Sequence, residues 1–260
     1  MAEFQPAKTI DEVVERLQVM YDELREAGSA YGFFPALYLL VTEAIRAGVR
    51  NERFEDNPRM EKLDVIFANR YFEAWHIFQE GGTPAPAWAL NFERCGRPNK
   101  YLIIQMLLLG INAHVNVDLG IAAAEVAPGK AYASLENDFN TINDVLGALI
   151  DDVKKDMGRF SPRIGWVLRW LGGREEKLLS FSLVKARDQA WKFGADLAQA
   201  KREDWPGIID KKNERIVKLG KAVAYPSIFG KLLMVFVKWS ETKEFGPVLE
   251  AIRTDYSVDV

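Results

Sequence analysis

Residues 101–126 read YLIIQMLLLGINAHVNVDLGIAAAEV, a long apolar stretch interrupted by Gln105, Asn112, His114, Asn116 and Asp118. Its length would suit a membrane span. A lipid-facing segment rarely carries so many polar groups, so the stretch reads as a helix buried in a protein core. Leu107, Ile111, His114, Asp118 and Ile121 recur at steps of three and four residues, which puts them on one helical face. Asn112 and Asn116 flank that stripe.

The sequence on either side also reads as helix. Thr9 and Glu12 make a capping box for a helix reaching about Glu26. Pro35 opens the apolar helix ALYLLVTEAIRAGV, with Gly48 as its end. Asn57-Pro58 caps a helix running to about Glu80, and Gly81-Gly82 stops it. TPAPAWALNFERCGRPN reads as a proline-containing connection. Helices are expected again over 137–157, in RIGWVLRWLGG and over 175–201, with Pro206, Pro226 and Gly246-Pro247 separating the last ones. No segment alternates as a strand does. The expectation is an all-α, single compact bundle-like domain of about ten helices over 1–260. It divides into an N-terminal helix (1–30), a core holding the site (31–201) and C-terminal helices (202–260).

Hydrophobic residues make up 48% of the chain, enough for a sizeable core, and the net charge of −3 argues against electrostatic nucleic-acid binding. The single cysteine, Cys95, excludes an internal disulfide and any multi-cysteine metal site. The N-terminus lacks the basic start and apolar run of a secretory signal, and no segment reads as transmembrane, so a cytoplasmic protein is expected.

The chain has two histidines, each about one turn from a carboxylate in an apolar setting. In RYFEAWHIF, Glu73 and His76 lie three apart, and Asn69 extends their stripe. In the buried stretch, His114 and Asp118 lie four apart. Buried imidazoles and carboxylates need a partner, a hydrogen bond or a metal. Two such helices packed face to face could converge on one polar centre, with Glu43 from LLVTEAI as a third contributor. His76, His114 and Asp118, with Glu73 as fourth ligand or general base, have the donor types for catalytic zinc or for non-haem iron. The same pairs equally fit hydrogen-bonded struts completed by Asn69, Asn112 and Asn116, or metal-free acid/base chemistry.

Other features have simpler readings. Asn140 and Asp144 in DFNTIND fit capping better than a pocket. Arg187, four residues before Trp191, could clamp an anionic group or pair with a carboxylate such as Glu43. Lys231, Lys238 and Trp239 look faintly interfacial, but lysine stems flanking a core helix explain them.

LLLGINAHVNVDLG, DFNTINDVL and KARDQAW together resemble an uncharacterised family of helical proteins, a domain of unknown function. Its members carry a similar Asn-Ala-His-Val/Ile-Asn-x-Asp-Leu helix, preceded by a histidine in an aromatic setting. Matched here are Asn112, His114, Asn116, Asp118, His76, Phe139, Asn143, Arg187 and Trp191. The resemblance implies a single helical domain and supplies no activity, since none is established for the family. The His-x-x-x-Asp helix is also reminiscent of the all-helical zinc-dependent phospholipase C and related nucleases, a mild pointer to hydrolysis. Those sites need more histidines than this chain has.

Three functions stay open. One is a metal-dependent hydrolase or oxygenase, holding zinc or iron, for an apolar or lipid-like small molecule. The aromatics around Tyr71, Trp75, Phe78 and Trp88 would line its hydrophobic pocket, and Glu43, Asn69, Trp75, Asn112, Asn116 and Arg187 would contact the substrate. The second is a metal-free binding protein, cyclase or isomerase for an apolar ligand. The third is a non-enzymatic helical interaction protein with a structural polar core. The oligomeric state is left open.

Overall fold

The computed structural model describes residues 3–142, 174–224, 237–239 and 241–254. Among them the chain is all-α, with no strand. Most of the 137–157 helix, RIGWVLRWLGG, Asn143, Asp144, Pro226 and Lys231 lie outside the described residues.

Helix α1 spans Ile10–Glu26. The Thr9 hydroxyl accepts from the Glu12 N–H at 3.2 Å, and the Glu12 carboxylate accepts from the Lys8 N–H at 2.8 Å. The capping box therefore closes one residue upstream of its usual partner. Helix α2, Phe33–Arg50, starts before Pro35 and runs past Gly48. Gly48 is not a terminator. A Cβ there would stand 3.1 Å from the Phe54 ring, so the missing side chain admits an aromatic. Helix α3, Asn57–Gln79, is capped by Asp56, one residue before the expected cap, whose carboxylate accepts from the Arg59 N–H at 3.0 Å. Buried Asp138 reaches the same end, accepting from the Glu55 and Asp56 N–H groups at 2.6 and 3.1 Å.

Helix α4, Pro86–Cys95, occupies the segment expected to be a connection. Its proline sits at the first helical position, where the lost N–H had no partner anyway. Helix α5 (Ile103–Ala113), a π turn (His114–Asp118) and α6 (Leu119–Val126) form one continuous rod. The start of α5 is capped from far along the chain: Glu241 accepts from the Ile103 N–H at 3.0 Å. The remaining helices are α7 (Arg174–Gln199), α8 (Trp205–Ala224) and α9 (Phe245–Thr254). Gly246-Pro247 begins α9 rather than dividing two helices.

The rod is the centre of the fold. α2, α3, α4, α7 and α8 all pack against it. The crossing of α6 and α7 is backbone to backbone. A Cβ on Gly120 would stand 2.8 Å from the Ala190 carbonyl, and one on Gly194 2.8 Å from the Gly120 carbonyl. α9 closes the other side by packing on α1 and α2. Residues 30–50 and 103–126 are each long and apolar enough to cross a membrane; 67% and 83% of their most apolar windows are buried within the chain. Buried core helices show the same composition.

Two glycines give opposite predictions. Gly120→Ala forces a methyl into a main-chain carbonyl and should destabilise by about 1–3 kcal/mol, the usual cost of overpacking. Gly207→Ala, with nothing near the added carbon, should stabilise by about 0.5–1 kcal/mol through helix propensity. Urea denaturation midpoints of the two variants check both.

Candidate functional site

The π turn sits on the polar stripe itself. The Leu119 N–H bonds the His114 carbonyl, five residues back instead of four. Such single wide turns insert one residue into an α-helix and recur at functional positions. His114 and Asp118 are its first and last residues. Each is 2% exposed, and His114 Nδ1 lies 3.2 Å from Asp118 Oδ2.

Two further helices fix this pair. From α4, the Trp88 indole N–H donates to Asp118 Oδ2 at 2.8 Å, and from α3, Arg70 Nε donates to Asp118 Oδ1 at 3.0 Å. Burial pushes the Asp118 carboxyl up. The His114 hydrogen bond, the Arg70 charge and the Trp88 donor outweigh it, so the carboxyl titrates below its ordinary range. For His114, burial dominates over the attraction of Asp118 and keeps the imidazole pKa below its ordinary value. At neutral pH the pair is therefore carboxylate and neutral imidazole. The proton sits on Nδ1, facing the carboxylate, which leaves Nε2 as a bare acceptor.

Aromatic rings enclose the imidazole. Phe67 stacks on it with centroids 3.5 Å apart and planes 9° apart, and Tyr38 meets its edge at 4.5 Å. Phe34 and Trp88 stand at 5.3 and 5.8 Å.

The imidazole forms part of the wall of a mainly apolar cavity of about 100 Å³. Leu37, Val41, Leu63, Phe67, Ile111 and Val115 are among its walls, and the polar residues reaching it are Tyr38, Asp64, His114 and Arg187. Tyr38 Oη, Asp64 Oδ2 and His114 Nε2 are buried without a hydrogen-bond partner. Native proteins seldom leave buried polar atoms unpaired, and three around one cavity call for an explanation. Burial pushes the Asp64 carboxyl up to about 7, helped by the charge of Glu61. Arg187 donates to the Phe139 carbonyl and lies 4.5 Å over the Phe139 ring. Burial lowers it to about 10, so it keeps its charge at neutral pH.

The structure joins His114 to Asp118 and does not bring Glu73 or His76 to them. His114 stacks on Phe67, nine residues before His76 on α3, which is about 13 Å of helix. His76 lies half-buried against the Phe4 ring, 5.9 Å away, in an open surface pocket of about 580 Å³, and Glu73 is exposed. Among the described residues no three His, Cys, Asp or Glu side chains gather as a metal site would require. The shared two-histidine centre expected for zinc or iron is therefore not assembled.

The expected substrate contacts are mostly structural. Glu43 accepts from Arg253 at 2.6 Å, tying α9 to α2, so it does not pair with Arg187. Asn69 clamps both main-chain groups of Ala7, at 2.7 and 2.8 Å. Asn116 donates to Asn112 at 3.2 Å, and Asn112 donates to the Ile216 carbonyl of α8 at 3.2 Å. Trp75 belongs to an aromatic cluster with Tyr31, Phe78 and Phe92. Arg187 does reach the cavity.

Tyr38, Asp64 and Arg70 escaped the sequence reading, which placed Trp88 among the pocket aromatics but not as a donor to Asp118. Asp64 had a signal: it shares a helical face with Met60, Phe67 and Tyr71. The bonds of Arg70 and Trp88 to Asp118 had none, because they span 48 and 30 residues of chain.

Asp118→Ala should cost about 3–5 kcal/mol, toward the lower end because Arg70 keeps some access to water. Because folding lowers the Asp118 pKa, its contribution is complete above the unfolded value near 4 and fades as pH falls through the folded value. Asp64 has the opposite sign. Its folded pKa is raised, so it weakens the fold progressively as pH rises from about 4 to about 7. Asp64→Asn should therefore gain stability relative to the parent between pH 5 and pH 8, measured by chemical denaturation at each pH.

No curated protein and no solved structure matches the chain. Residues 10–226 match DUF5995, and the match covers the rod, the dyad and every cavity residue. The chain belongs to DUF5995, a family of unknown function.

Proposed function

We propose that the protein binds a small, mainly apolar molecule in the cavity beside His114, and that the His114–Asp118 dyad accepts a hydrogen bond or a proton from the ligand's polar end. The observation that carries this reading is His114 Nε2, buried and unpartnered at an otherwise apolar wall. A purely structural imidazole would have its second nitrogen satisfied, because an orphaned buried acceptor costs about 1–3 kcal/mol.

The surroundings support the same role. Asp118 sets the tautomer, Trp88 and Arg70 hold Asp118, and Phe67 fixes the ring plane. A carboxylate behind an imidazole raises its basicity and stabilises the imidazolium formed on proton transfer, the logic of general-base dyads. This is metal-free chemistry by side chains alone. The volume is below the roughly 150 Å³ that admits benzene in an engineered cavity. It suits a head group and the first few carbons of a ligand.

The test is thermal unfolding with 1-pentanol as probe. A ligand that binds only the folded state raises the melting temperature. The parent should be stabilised in a saturable way. His114→Phe keeps a ring to stack on Phe67 and removes the acceptor, and it should bind at least about tenfold more weakly, or about 1.4 kcal/mol. Equal binding by the two proteins, or none by the parent, would return the dyad to the role of a strut.

A further inference from the structure

Beyond the dyad, the cavity holds a second set of polar atoms. Tyr38 Oη comes from α2 and Asp64 Oδ2 from α3, and both are buried without partners, as His114 Nε2 is. The three residues line one cavity, with Arg187 of α7 also in its wall. Their hydrogen-bonding characters differ. His114 Nε2 can only accept, because its proton lies on the nitrogen facing Asp118. The phenol of Tyr38 donates, and a carboxyl group buried away from any cation partner donates when it holds its proton. The ligand end that satisfies all of them offers an acidic O–H on one side and a carbonyl oxygen on the other.

We infer that the cavity receives the carboxylic acid head of an apolar molecule, its O–H meeting His114 Nε2 and its carbonyl oxygen meeting Tyr38 and Asp64. The inference rests on the pocket proposed above and specifies what enters it. An alcohol has to serve His114 and the Tyr38–Asp64 side from a single oxygen, whereas the acid donates from one oxygen and accepts from both Tyr38 and Asp64 on the other. A ketone accepts from Tyr38 and Asp64 and leaves His114 without a donor. The apolar remainder of the acid lies along Leu37, Val41 and Val115.

Proton transfer within this complex balances without any other reactant. The acid O–H bond breaks, its electron pair stays on the carboxylate oxygen, and the proton forms an N–H bond on His114 Nε2. The products are a carboxylate facing an imidazolium, and Asp118 stands behind the imidazolium as its second counter-charge. The Arg187 guanidinium adds positive potential on the carboxylate's side of the balance. Asp64 supports the arrangement because burial keeps it protonated up to about pH 7, so it meets an incoming carboxylate as a donor rather than as a like charge. Carboxyl–carboxylate hydrogen bonds of this kind are charge-assisted and strong.

The test compares three five-carbon probes, pentanoic acid, 1-pentanol and 2-pentanone, by isothermal titration at pH 6. Pentanoic acid should bind at least tenfold more tightly than either of the others. Asp64→Asn, whose amide still donates, should keep that preference, and Asp64→Leu should lose it. Tyr38→Phe should narrow it. In the complex, the ¹⁵N signals of His114 should move to those of an imidazolium. Circular dichroism confirms that each variant is folded, and the parent alone decides the outcome if Asp64→Leu does not fold. Equal affinity for the three probes, or a preference for the alcohol, overturns the acid head and leaves the apolar pocket standing. Binding of none of them by the folded parent overturns the pocket and the acid head together.

Discussion

One carboxylate holds the centre of this protein. Asp118 takes a hydrogen bond from an indole on α4, another from a guanidinium on α3 and a third from the imidazole on its own rod. Taking a carboxylate out of water costs several kcal/mol, and the cost is recovered only where nearly all its lone pairs are used. Here three donors from three places in the chain satisfy that demand. One side chain thereby ties α3 and α4 to the rod and anchors the imidazole that faces the cavity.

The site grows out of this constraint. With Asp118 ionised, the tautomer of His114 is decided, and with the ring wedged among Phe67, Tyr38 and Phe34 its orientation is decided too. What the pair leaves over is one acceptor nitrogen on an apolar wall. Polar atoms at a cavity surface act more strongly than they would in water, because little screens them. A few such atoms in an apolar lining are the usual composition of a small-molecule site.

Much of the fold could be read from the residues. Helical periodicity and the proline and glycine punctuation gave the all-α class, and the polar interruptions of residues 101–126 gave a buried helix. The errors were local and have local causes. Pro86 looked like a breaker and is a helix start. Gly48 looked like an end and is a gap for Phe54. For the site, spacing within one helix was legible, so His114 and Asp118 emerged as a pair. Spacing carries no information about which helices meet. Glu73 and His76 have a similar pattern and lie on a different surface, while Asp64 and Tyr38 share the cavity with His114 and bear no sequence relation to it. The cap of α5 by Glu241, 138 residues away, was out of reach for the same reason.

The π turn has an effect that extends past the pair it contains. One extra residue in a rod of 3.6 residues per turn advances everything after it by about 100°. Without the insertion, the stripe that α5 directs at α2 would continue straight into α6. With it, the two halves of the rod are out of phase, and Gly120 is turned to the backbone of α7. The rod thus carries two separately tunable faces, one for the cavity and one for the helix crossing, and its phase shift lets the sequence of either change without re-aiming the other.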